Sequence, residues 1–119
     1  MNSSSVFRIA SLFSGSKGNC TFLRSGETRI LIDAGMSCRA VCRSLEQLGE
    51  TLSSVRAVFL THEHSDHVSA LSVLLKKHPV PVHAPSAVVR ALTLAGCPSD
   101  CLIPHPVCNT VTVTAEDGS

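Results

Sequence analysis

Thr61-His62-Glu63-His64-Ser65-Asp66-His67 (THEHSDH) gathers three imidazoles and two carboxylates into six consecutive positions of a 119-residue chain that is only 16% charged. Its opening invites an HExxH reading, in which two histidines lie one helical turn apart. The residue four after His62 is Asp66, so that arrangement fails. What remains is H-x-H-x-D-H. The i, i+2 spacing puts the His62 and His64 rings on one side of an extended segment, whereas the adjacent Asp66 and His67 must diverge. One short loop can therefore feed two neighbouring metal positions.

Neutral imidazole and ionised carboxylate are the ligands expected for zinc, manganese or iron. A pair of such ions about 3.5 to 4 Å apart can share a hydroxide as nucleophile, so the chemistry expected is hydrolysis. The bland alternative is a solvated polar loop or a set of helix caps. Against it stands the preceding run Val55 to Leu60 (VRAVFL), which reads as a strand buried on both faces. Open sheets place their ligands just beyond the carboxyl ends of such strands.

Working outward, Val6 to Leu12 is β-rich and runs into the turn formers Ser14 to Asn19 (SGSKGN). Thr21 to Leu23 and Thr28 to Ile32 (TRILI) flank a turn at Ser25-Gly26-Glu27, so residues 6 to 32 predict an antiparallel hairpin or meander. From Ser37 the period becomes helical, with Val41, Leu45 and Leu48 on one face, Ser37 as N-cap and Gly49 past the end. After the motif, Val68 to His78 predicts a helix with Leu71, Leu74 and Leu75 inward, stopped by Pro79. Val80 to Ala84 reads as a strand, and Ser86 caps a third helix through Val88, Val89, Leu92 and Leu94 that Gly96 and Pro98 end. Beyond Cys97 the chain reads as irregular until Thr110 to Thr114 (TVTVT), an alternating strand with Val111 and Val113 inward.

A chain of this length, 44% apolar with mean hydropathy +0.26, supports one domain with a core of Val, Leu, Ile and Ala. Net charge +1 gives no global footprint for nucleic acid or membrane. The N-terminus has the single Arg8 and no apolar run long enough for export, and no stretch is long enough to span a bilayer, so the expected location is cytoplasmic. The six cysteines are accordingly expected as reduced thiols, although Cys38 and Cys42, like Cys97 and Cys101, have a spacing that would let each pair face one metal.

THEHSDH after VRAVFL, together with Leu31 to Gly35 (LIDAG), resembles the metallo-β-lactamase fold hydrolases. The resemblance implies an α/β fold: the N-terminal half of an αββα sandwich, a mixed sheet with helices on its outer face. It implies two divalent ions, zinc or manganese. His62 and His64 would bind the first and Asp66 and His67 the second, Asp66 would also take part in proton transfer, and Asp33 would support the ligands from behind. Ala10 to Leu23 (ASLFSGSKGNCTFL) is similar, with extra residues, to the opening of the WalJ/YycJ-type bacterial exonuclease branch. That likeness implies DNA or another phosphodiester as substrate, with Ser16, Lys17 and Asn19 as candidate contacts. The same ligands would serve a thioester, lactam or lactone hydrolase, because fold and metal site do not choose the substrate.

The family pattern also needs a third His, a bridging Asp and a final His from later strands. After His67 the chain holds only His78, His83 and His105. His78 closes a helix beside Lys76 and Lys77 as a dipole partner, and structural or solvent roles are expected of His83 and His105. Residues 1–119 thus read as the N-terminal part of the domain, truncated at the C-terminus. The remaining alternative is an inactive half-domain with an incomplete site.

Overall fold

The computed structural model describes residues 7–15, 18–61, 70–97, 99–105 and 113. Strands β1 (Phe7–Phe13), β2 (Cys20–Ser25) and β3 (Thr28–Ile32) form the predicted antiparallel meander, with Gly26 at φ 60° turning β2 into β3. Then the direction changes. Strands β4 (Ala57–Phe59), β5 (Val82–Pro85) and β6 (Leu102–His105) run parallel to β3, and the six described strands lie in the order β1 to β6. Helices α1 (Cys38–Gln47), α2 (Leu71–Lys77) and α3 (Ser86–Leu94) fall within the three parallel connections.

Each helix is placed by a buried stripe. Val41 and Leu45 of α1, Leu71, Leu74 and Leu75 of α2, and Val88 and Leu92 of α3 form one core with Phe22, Leu31, Val58, Val82 and Leu102. The helices therefore share one face of the sheet. Each fully buried aliphatic or aromatic side chain stabilises this layer by about 1.5 to 3 kcal/mol. The other face carries Phe7 and Ile9, exposed at 64% and 62%, so β4 is not covered equally on both sides as its sequence suggested. Phe59, on that second face, is only half-buried.

Helix α1 is bounded as the sequence predicts. Ser37 Oγ accepts from Ala40 N at 3.1 Å, and past the C-cap Gly49 stands at φ 77°. Glu50 N then donates to Leu45 O at 2.9 Å and Gly49 N to Glu46 O at 3.0 Å, the paired bonds of a Schellman end. This turn aims Glu50 back at the sheet. Arg8, Arg24 and Arg29 stand in register across β1, β2 and β3, and all three reach its carboxylate, at 3.2, 2.9 and 2.7 Å. Burial opposes ionisation of Glu50, but hydrogen bonds from Arg29 and Arg24, with their charges, outweigh it and hold the carboxyl below its ordinary value.

Three expectations need correction. Leu102–His105, read as irregular because of its prolines, is a strand paired with β5 from Val82↔Leu102 to Pro85↔His105. Pro104 is tolerated because β6 is the outermost described strand, where a missing N–H costs least. Ser86 is the first helical residue of α3 rather than its cap, a position taken by Pro85 without a side-chain bond. Leu94 is 87% exposed, since two residues past Leu92 a helix points away from its buried stripe. The strand expected at Thr110 to Thr114 lies outside the described residues apart from Val113.

Candidate metal centre

Asp33 leaves β3 at the carboxyl end of the sheet in a left-handed conformation, φ 63°, which Asp adopts more readily than most residues. Its N–H donates to Phe59 O at 2.7 Å, tying it to the end of β4. Its side chain is turned to the residue before the histidine motif. Oδ1 accepts from Thr61 N and Oδ2 from Thr61 Oγ1, both at 2.8 Å. The carboxylate is 6% exposed, so these bonds compensate the loss of water.

The same loop holds the other flank. Ala34 O accepts from Ala70 N at 2.9 Å, immediately before α2. Asp33-Ala34 thus fixes both ends of the segment 62–69, through Thr61 at the entry and Ala70 at the exit. Behind it, Gly35 N donates to Asn19 O at 2.9 Å, and a Cβ on Gly18 would land on Met36 Cγ and within 2.8 Å of Met36 N. Gly18 is therefore required by a close approach of the two loops. Asn19 braces its own turn, with Nδ2 donating to Gly15 O at 3.1 Å and Oδ1 accepting from Gly15 N at 3.3 Å. Cys20, buried beneath, has its thiol pushed up to about 12 by burial and by the Asp33 charge, which leaves it an inert thiol.

His62, His64, Asp66 and His67, with Ser16 and Lys17, lie outside the described residues. Of the candidate site residues, Asp33 and Asn19 are described, and Gly35 joins their two loops. Among the described residues no three His, Cys, Asp or Glu side chains converge as a metal site.

Three histidines farther along take definite places. His78 is more than a helix-end charge: its Nε2 lies 2.9 Å from Val55 O and ties the end of α2 to the start of the β4 segment. His83 and His105, read separately from the sequence, are brought together, with His83 Nδ1 2.7 Å from His105 Nε2. The His83 ring also stacks on Phe59, centroids 4.9 Å apart and planes at 21°. Burial, and then the neighbouring His105, lower the pKa of His83. No sequence signal marks the pair, because 22 residues separate its members and only the β5–β6 register joins them.

A carboxylate at the end of β3 clamping the entry to H-x-H-x-D-H at the end of β4 agrees with the family model that matches residues 14–96, that of the metallo-beta-lactamase superfamily. The chain belongs to this superfamily. Among its metallo-beta-lactamase superfamily relatives, exodeoxyribonuclease YycJ of Bacillus anthracis is 40% identical over 61% of the chain and 28% of its own length. Exodeoxyribonuclease WalJ of Streptococcus pneumoniae serotype 2 is 31% identical over 72% of the chain and 32% of its own length. The chain thus spans about a third of these relatives. The solved metallo-beta-lactamase MEM-A1, a subclass B3 enzyme from a soil metagenome, superposes with a TM-score of 0.72 at 21% identity, covering 88% of this chain and 46% of that one. Members of the superfamily are hydrolases, generally with divalent metals, and the mixed sheet with three described helices matches their fold. No described helix is long and apolar enough to cross a membrane.

Proposed function

We propose that this chain carries the metal-binding motif of a phosphodiesterase, a DNA exonuclease in the cytoplasm. The observation that carries the reading is the clamp of Asp33 on Thr61, which fixes the stem of a loop whose residue types suit divalent ions. The two exodeoxyribonuclease relatives support the substrate class. His62 and His64 would hold one ion and Asp66 and His67 a second, zinc or manganese, with Asp33 orienting the loop. Bound there, the ions would lower the pKa of water and neutralise charge building on a phosphate. Asp66 would also move a proton, and Ser16, Lys17 and Asn19 would contact the phosphodiester backbone. Further ligands would come from chain outside these 119 residues.

Equilibrium dialysis against zinc and manganese, with wild type and His64→Ala, tests the site: retention of metal by the variant overturns the ligand assignment. Incubation of the loaded protein with end-labelled DNA, a thioester and a β-lactam tests the substrate class. Shortening of DNA from an end supports the nuclease. Turnover of a thioester or lactam alone moves the protein to the other hydrolases of the fold, and no turnover identifies an inactive half-domain.

A further inference from the structure

Beyond the metal motif, the chain assembles a row of three rings on the open face of the sheet at the carboxyl ends of its parallel strands. Phe59 of β4 stacks on His83 of β5, and His83 meets His105 of β6, with ring centroids 4.9 Å apart in both contacts. The backbone ties this row to the root of the motif, since Leu60 N donates to His83 O at 2.9 Å and Thr61 follows directly. We propose that His83 and His105 form a proton relay serving the hydrolytic centre built on the 62–67 loop. The proposal rests on the hydrolase reading above.

The chemistry follows from the contact itself. At 2.7 Å the two ring nitrogens are at the short end of hydrogen bonds and must share one proton, because two N–H groups cannot point at each other. When His83 Nδ1 carries that proton, His83 Nε2 is a free base and His105 Nδ1 carries a hydrogen. A proton taken up at His83 Nε2 lets the shared proton cross to His105 Nε2, and His105 Nδ1 then releases its own. One proton enters, one leaves, and both rings end neutral in the opposite tautomers. In phosphodiester hydrolysis the proton entering is the one that water loses as its oxygen bonds to phosphorus. The departing oxygen, whose bond to phosphorus breaks, recovers a proton from solvent. An imidazole bonded to a carboxylate would hold its proton on one side, whereas two like rings can pass it either way at little cost. Burial favours the neutral pair that this exchange needs.

The test uses the full chain, ¹⁵N-labelled at histidine, with ring nitrogen shifts read by NMR in the metal-free protein. Rapid exchange between the two tautomers in both rings is expected, and one fixed tautomer in each ring overturns the relay. In the zinc- or manganese-loaded protein, His105→Ala should slow DNA hydrolysis by at least about tenfold, and millimolar imidazole should restore the rate more than it changes wild type. His105→Gln, which keeps a hydrogen-bonding group against His83 but cannot pass a proton, should be equally slow while keeping the wild-type urea midpoint. An undiminished rate in a folded His105→Gln sinks the relay alone. Wild-type protein that binds metal but turns over no DNA sinks the phosphodiesterase reading and removes the relay's task.

Discussion

The Asp33 carboxylate accepts from both the N–H and the hydroxyl of Thr61, at 2.8 Å each, so one side chain at the end of β3 fixes the residue that precedes the histidine motif after β4. Asp33→Asn preserves shape and tolerates φ 63°, but its amide must turn an N–H toward one of the two Thr61 donors. The expected result is a loss of about 1 to 3 kcal/mol of stability in urea. Metal affinity should also fall by roughly 10- to 100-fold, as for residues that orient ligands. Isothermal titration with zinc reads the second effect, and unchanged affinity would show that the clamp does not position the ligands.

Glu50 is predicted to be the largest single polar contribution to the sheet-to-α1 packing. Its removal leaves Arg24 and Arg29, both partly buried, without their shared partner. Glu50→Ala should cost about 3 to 5 kcal/mol in urea unfolding.

The same cluster sets an acid limit. Because the folded Glu50 pKa lies below its ordinary value of 4.5, its stabilisation is complete above that value and is lost as pH falls through the folded pKa. Urea midpoints should therefore decline below about pH 5 more steeply in wild type than in Glu50→Gln. Parallel declines would contradict the assignment.

His83 has the opposite charge type but the same sign of pH dependence. Its folded pKa lies below its ordinary 6.5, so the fold favours the neutral ring; that contribution is full above 6.5 and is lost as pH falls toward the folded pKa. An NMR titration of the ring should give a midpoint below 6.5, and a midpoint at or above it would contradict the burial argument.

Gly18→Ala should be destabilising because the added methyl meets Met36 Cγ and the Met36 backbone N together, and the backbone cannot give way as a side chain tip can. A loss of about 1 to 3 kcal/mol is expected. Thermal melts of Gly18→Ala with and without Met36→Ala separate the two contacts: full recovery in the double variant would assign the strain to the Met36 side chain alone.

The antiparallel meander, α1 with both its caps, and the three buried helical stripes were legible in the sequence because each depends on local periodicity and on turn residues such as Gly26 and Gly49. Strand β6 was not, since Leu102-Ile103-Pro104-His105 lacks any local signal and becomes a strand only where β5 offers an edge in register. The Glu50 cluster was equally hidden, because its three arginines come from three strands aligned only by their pairing.

By itself the sequence determined that this protein has a histidine-aspartate motif at the end of a strand and belongs with the metallo-beta-lactamase fold, because ligand type and spacing are written in consecutive residues. The tertiary structure alone decided that Asp33 and Ala34 grip both flanks of that motif and that His83 meets His105. Those contacts join residues 22 to 36 positions apart, and only the crossover of parallel strands brings such distant side chains and backbone groups to the same end of the sheet.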